Sequence, residues 1–143
     1  MEANPMMSVL LLAIAMPSEP FVDAVARTES NHRHEAVGDG GRAIGAWQIW
    51  DSAWQTANDF RVLNNQTRIN RQTATKSQHR EIARWLLAWH MKRLTDNGIA
   101  ATPQHVYLSY TMGFAGFKAI GFNPCLAPPV KQRALKRLNS FLP

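Results

Sequence analysis

One cysteine, Cys125, occurs in the whole sequence, which excludes an intrachain disulfide and any cysteine-based zinc cluster. It leaves the compartment open, because many exported bacterial-type proteins carry no disulfide. Charged residues are sparse at 18%, yet hydrophobic residues reach 45%, a globular rather than a disordered composition. Eight glycines and eight prolines are too few for a fibrous or low-complexity chain. No apolar stretch approaches the ~20 residues that span a bilayer. Acidic residues number 10 against 16 lysines and arginines, a formal net charge of +6. That excess favours a polyanionic partner: nucleic acid, an anionic membrane or an anionic cell wall. The 143 residues are one domain's worth, on a prior of ~100–200 residues per domain, and enough to bury a real core.

The most apolar stretch runs from Met6 to Met16, 11 residues with only Ser8 polar. It has the length of a signal-peptide core, and Ala13-Ile14-Ala15 supplies a small-x-small site. Glu2, the only charge before it, departs from the basic start of a signal and leaves a buried or amphipathic first helix as the other reading. The chain divides accordingly into residues 1–17, a signal or apolar segment, and 18–143, a single domain.

From Ser18 onward the chain has mainly helical punctuation. Ser18 is placed to cap a helix over about Pro20 to Glu29, with Glu19 at its positive start and Pro20 in its first turn. Phe21, Val22, Val25 and Thr28 share one face of it. Gly38-Asp39-Gly40-Gly41 marks a turn and predicts a small hairpin or tongue. Asp51 or Ser52 caps a short helix through Trp54, and the polar stretch Asn58 to Thr75 reads as a loop with at most one short helix. Thr75-Lys76-Ser77-Gln78 is a capping box opening a long helix, with Ile82, Trp85, Leu86 and Trp89 as its core stripe. Thr102-Pro103 opens another helix to about Met112, interrupted at Gly113. A basic helix comes after Pro128-Pro129, with Lys131, Arg133, Lys136 and Arg137 as its candidate contact to an anionic wall. The fold class is mainly α, with a small hairpin at most.

Three familiar signatures fail. Gly38-x-Gly40-x-x-Ala43 imitates a dinucleotide fingerprint, but polar residues precede it where a strand belongs. His34-Glu35 begins like a zinc-protease helix, but Gly38 stands where the second histidine is required. His79, His90 and His105 have no ligand spacing with a carboxylate or thiolate and read as ordinary surface or groove residues. No metal site and no cofactor is expected. Nucleic acid is not the expected partner, because the basic residues are scattered from Arg27 to Arg137 without a compact recognition helix.

One cluster resists explanation by packing. Glu29 lies four and seven residues after Val25 and Val22, so it is on the apolar face of its own helix. It also lies near the helix carboxyl end, whose partial negative charge disfavours another anion. Both effects raise a carboxyl pKa, and a carboxyl protonated near neutral pH can serve as a general acid. Ser30 is its neighbour. Further on come Gly45-Ala46-Trp47-Gln48-Ile49, then Asp51-Ser52-Ala53-Trp54, then Ser109-Tyr110-Thr111-Met112-Gly113.

This set resembles the catalytic domain of the soluble-type lytic transglycosylases, within the lysozyme-like superfamily. That family carries a Glu-Ser pair at a helix end, a Gly-Leu-Met-Gln-Ile stretch, a Pro-Ser-Thr/Ala-Trp-like helix start and an Ala-Tyr-Asn-x-Gly motif. Here Ala46 and Trp47 replace Leu and Met, Asp51 replaces Pro, Ser109 replaces Ala, and Thr111 replaces Asn. The match covers roughly residues 19–120.

The resemblance implies a lysozyme-like helical catalytic domain with its hairpin beside the cleft. The implied substrate is the β-1,4 bond between N-acetylmuramic acid and N-acetylglucosamine in peptidoglycan. Glu29 would protonate the glycosidic oxygen, then act as base while the muramoyl 6-hydroxyl attacks, leaving a 1,6-anhydro product. Gly45 would admit sugar close to the backbone, Gln48 would bond an acetamido group, and Tyr110 would bond Glu29 or the sugar. Ser30 would hold the Glu29 turn or touch substrate, and Thr111 would stand near Glu29. Core packing accounts for at least one of Trp47, Trp50 and Trp54, and for Trp85 and Trp89. The implied partner is the peptidoglycan glycan strand, met by a monomer with no stable membrane insertion. The location is periplasmic or extracytoplasmic if residues 1–17 are a signal, and otherwise cytoplasmic with phage-type delivery to the wall.

A hydrolytic lysozyme is the nearest rival. Inverting hydrolysis needs a second carboxylate ~6.5–9.5 Å from the acid, with room for a water. Asp39 is the best candidate, ahead of Glu35 and Asp51. A non-catalytic glycan- or nucleic-acid-binding helical domain is the more distant rival.

Overall fold

The computed structural model describes residues 14–143. Most of the apolar stretch expected as a signal or first helix therefore lies outside the described residues. Among the described residues the architecture is mainly helical with one two-stranded hairpin, as the sequence predicts. No helix among them is long and apolar enough to cross a membrane.

Helix α1 spans Glu19–Ser30 and is capped by Ser18, whose hydroxyl accepts from the Phe21 N–H. It ends where Asn31 turns left-handed at φ 56°. Strands β1 (Val37–Gly38) and β2 (Ala43–Ile44) pair antiparallel around a short 3-10 turn over Asp39–Gly41. Helix α2 spans Asp51–Leu63, longer than the turn through Trp54 that the sequence suggests. Its cap position is Trp50, with no side-chain bond, rather than Asp51 or Ser52. Residues 64–75 lie outside any helix, as expected, but Asn58 and Arg61, which also read as loop, are buried on α2. Asn58 Nδ2 donates to the Ile69 carbonyl at 2.9 Å and its Oδ1 accepts from the Ile69 N–H at 2.8 Å. Arg61 Nε donates to the Thr67 carbonyl. These bonds fold the segment after α2 back onto its inner face.

Helix α3 (Lys76–Asp96) opens on the full capping box of Thr75 and Gln78. Helix α4 (Pro103–Met112) is capped by Thr102 with Pro103 in its first turn. Gly113, at φ 78°, separates it from the short helix α5 (Phe114–Ala119), where the sequence suggests only an interruption. Helix α6 (Pro129–Phe141) packs against α1 and α4.

The core is built where α1, α3, α4 and the segment after the hairpin meet. Val22, Val25, Trp47, Trp54, Leu87 and Leu108 are fully enclosed there. Both buried indoles satisfy their N–H groups, Trp47 on the Val22 carbonyl at 2.9 Å and Trp54 on the Ile69 carbonyl at 2.7 Å. Those bonds remove the cost of an unpaired buried donor. Arg80 of α3 pairs with both Glu19 and Asp23 of α1, which fastens the two helices at the surface.

Candidate active site

The last turn of α1 carries Glu29 to the wall of a cavity of about 660 Å³. That volume suits a saccharide-sized ligand, since small-molecule sites run ~300–1,000 Å³. The wall is shared by the hairpin turn (Asp39), the segment into α2 (Gln48, Trp50), α3 (Trp89, His90), the end of α4 (Tyr110, Thr111) and α6 (Lys131). Separate stretches of sequence thus converge on one opening.

Glu29 is half-buried, on the apolar face of α1. Burial raises its carboxyl pKa above the ordinary 4.5. A hydrogen bond from Tyr107 and the charges of Lys131 and Arg137 work against that rise, while the charge of Asp39 adds to it. Burial outweighs the rest, so the protonated form is favoured to higher pH. The Tyr107 hydroxyl sits 3.0 Å from Glu29 Oε1 and holds the carboxyl in one orientation. Sequence reasoning gives that contact to Tyr110, one turn further along the same helix. Tyr110 lines the cavity, but its hydroxyl donates to the Trp47 carbonyl.

Two of the expected substrate contacts do not line the cavity. Ser30 is buried, and its Oγ donates to the Ala46 carbonyl at 2.7 Å while accepting from the Arg33 N–H at 3.0 Å. It ties the end of α1 to the segment after the hairpin. Gly45 has φ 80°, and a Cβ there would come within 2.8 Å of His79 Nδ1. Its own backbone and the neighbouring His79 are sufficient to require the glycine.

Gln48 does line the cavity, but its amide nitrogen donates to the Ala36 and Gly45 carbonyls. Its Oε1 lies so near Gly38 that a Cβ there would meet it at 2.4 Å. Gln48 therefore braces the hairpin against the turn at Gly45. Thr111 lines the cavity too, where its Oγ1 accepts from Lys131 Nζ at 2.7 Å. Lys131 is thus turned into the site, while Arg133, Lys136 and Arg137 of the same helix stay exposed.

Asp39 lies at the exposed turn of the hairpin, on the rim of the cavity. Its Oδ2 accepts from Trp50 Nε1 at 3.0 Å. Among the described residues, Glu29 and Asp39 are the only carboxylates on the lining; Glu35 and Asp51 are exposed elsewhere. Trp50 is 38% exposed, held by Asp39 on its nitrogen edge and with the Arg42 guanidinium 5.3 Å from its ring centroid. Trp89, expected in the core, is half-buried and also lines the cavity. His90, expected at the surface or in a groove, is buried and reaches the cavity wall from α3.

Among the described residues, no three His, Cys, Asp or Glu side chains come together to hold a metal ion. The arrangement offers proton transfer from one half-buried carboxyl, hydrogen bonding around it, and two indoles on the cavity wall. The chain matches no family model, no curated protein and no solved structure.

Proposed function

We propose that the chain cleaves the β-1,4 bond between N-acetylmuramic acid and N-acetylglucosamine in peptidoglycan, with Glu29 as the single acid/base. The observation that carries this is the state of the two carboxyls on the cavity wall. Glu29 is half-buried, held by Tyr107 and keeps its proton to higher pH than an ordinary carboxyl, as suits a general acid. Asp39 is exposed and bonded to an indole N–H.

In this scheme Glu29 protonates the glycosidic oxygen as the C–O bond to the leaving sugar breaks. The resulting carboxylate takes the proton of the muramoyl 6-hydroxyl as its oxygen bonds the anomeric carbon. The products are a 1,6-anhydro end and a free 4-hydroxyl, and Glu29 is again protonated. The nucleophile comes from the substrate, so one carboxyl completes the cycle. Trp50 and Trp89 offer ring faces for sugar, and Lys131 offers a cation to the carboxylates of an anionic wall polymer.

Hydrolysis is the second reading, favoured by the presence of Asp39 on the same wall. Digestion of purified peptidoglycan separates the two, because anhydro ends and hydrated reducing ends differ in mass by one water. Release of no muropeptide of either kind would remove both.

A further inference from the structure

His90 has no part in that reaction, yet it is fixed in the cavity wall by a specific bond. Its Nδ1 lies 2.6 Å from Ser109 Oγ, joining α3 to α4. Ser109 is completely buried, and this is the one hydrogen bond its hydroxyl makes among the described residues. If Nδ1 carried the proton, the serine O–H would be left as a buried donor without an acceptor, which is unfavourable. The favoured arrangement has Ser109 donating to Nδ1, which places the imidazole proton on Nε2. Among the described residues Nε2 makes no hydrogen bond to protein, the one ring bond being that of Nδ1. His90 lines the cavity. Burial and the charge of Arg93 keep the ring neutral.

The wall that His90 shares carries apolar side chains beside its polar ones. Leu86, four residues earlier on α3, lines the same wall, and the Trp89 ring centroid lies 4.8 Å from that of His90. Ala53 of α2 and Ile49 face the cavity with them. A neutral donor that shares a wall with apolar side chains matches a group with one neutral acceptor and a methyl. The acetamido substituent of an N-acetylated amino sugar is such a group.

We propose that His90 is a specificity-determining residue: its Nε2–H donates to the acetamido carbonyl of the bound sugar, while Leu86 and Trp89 enclose the methyl. Ser109 acts as a positioning residue by fixing the tautomer. This rests on the glycan-cleaving reading and names the substituent that the cleft selects.

The test uses the catalytically silent Glu29→Gln chain and isothermal calorimetry with two probes, the N-acetylglucosamine β-1,4 tetramer and its fully de-N-acetylated counterpart. The parent should prefer the acetylated tetramer. Adding His90→Phe should weaken that tetramer by about three- to ten-fold, the worth of one neutral hydrogen bond, and leave the other unchanged. His90→Gln, which keeps an N–H donor, should restore part of the preference. His90→Phe with Ser109→Ala removes the stranded hydroxyl and should lose the preference as His90→Phe does, with a folded chain assured by its cooperative melting. Equal preference in the parent and in both phenylalanine variants overturns the role of His90 while leaving the glycan reading standing. Binding of neither tetramer nor of peptidoglycan fragments to the parent overturns both.

Discussion

Tyr107 reaches across 78 residues of sequence to donate a 3.0 Å hydrogen bond to Glu29 Oε1. The bond favours the ionised carboxyl, whereas burial favours the protonated one, and burial is the stronger influence. A carboxyl held between these two pulls can give up a proton and take it back, which an acid that becomes a base in the same turnover needs.

Glu29→Gln keeps the shape and an acceptor for Tyr107 but removes the proton. Peptidoglycan cleavage should fall by ~10²–10⁴ or more. A variant retaining more than about a tenth of wild-type turnover would contradict the assignment. Stability should move the other way. Glu29 has a folded pKa above 4.5, so its stabilising contribution is complete below that value and lost as pH rises through the folded pKa. The glutamine variant has no such loss. Its melting temperature relative to wild type should therefore climb between about pH 4 and pH 8.

Much of the fold was legible in the sequence because the signals are local. Ser18, Thr75 with Gln78, and Thr102 with Pro103 each satisfy backbone groups within three residues of themselves, and all three cap helices where expected. The placing of Glu29 needs only helical periodicity. What was not legible depends on partners far away in sequence. Asn58 and Arg61 look like loop residues until Ile69 and Thr67 supply their bonds. Tyr107 and Tyr110 are three residues apart on α4, and which of them meets Glu29 is decided by how α4 lies against α1. His90 carries no local mark at all, since its partner Ser109 stands on another helix. Of the two roles expected of Ser30, its bonds to Ala46 and Arg33 fit holding the Glu29 turn, and the neighbour that crowds Gly45 is His79.

Tyr107→Phe should raise the Glu29 pKa further, because the lost bond favoured the carboxylate. The alkaline limb of the kcat/KM profile, which reports loss of the acid's proton in the free enzyme, should shift to higher pH. Stability should fall by only ~0.5–1.5 kcal/mol in denaturant titration. An alkaline limb that stays in place would show that the hydroxyl does not govern the carboxyl.

Gly45→Ala should destabilise the fold by ~1–3 kcal/mol, since the residue sits at positive φ and its new methyl meets His79. Glycan affinity of the folded chain should hardly change, because Gly45 is off the cavity wall. A large rise in KM with unchanged thermal melting would instead return Gly45 to the sugar-contact role its sequence position suggests.

His90 gives the chain an acid sensitivity of opposite sign to Glu29. Burial lowers its pKa from 6.5 to about 3. Between those values the unfolded chain binds the proton and the folded chain does not, so stability is lost as pH falls below 6.5. The double substitution His90→Phe with Ser109→Ala removes that dependence. Its stability relative to wild type should improve from about pH 7 to about pH 4 in urea titrations. A constant difference across that range would mean that His90 is free to charge in the folded state.

Asp39 separates the two reactions. Its backbone is left-handed, at φ 50°, a conformation that asparagine accepts as readily as aspartate. The amide of an Asp39→Asn variant would still offer an oxygen to Trp50 Nε1, so the substitution preserves the indole's orientation and removes only the charge. If the substrate supplies the nucleophile, most turnover should survive. The Glu29 pKa should drop, because the Asp39 charge helps to raise it, and the alkaline limb should move to lower pH. Asp39→Ala goes further and strips Trp50 of its acceptor. It should raise KM more than it lowers kcat, as expected for loosening a wall that touches sugar rather than removing a reacting group. If Asp39 instead activates a water, Asp39→Asn alone should lower kcat by at least ~10²-fold. That outcome, with unchanged melting and hydrated reducing ends in the digest, would replace the anhydro-forming reaction by hydrolysis with two carboxylates.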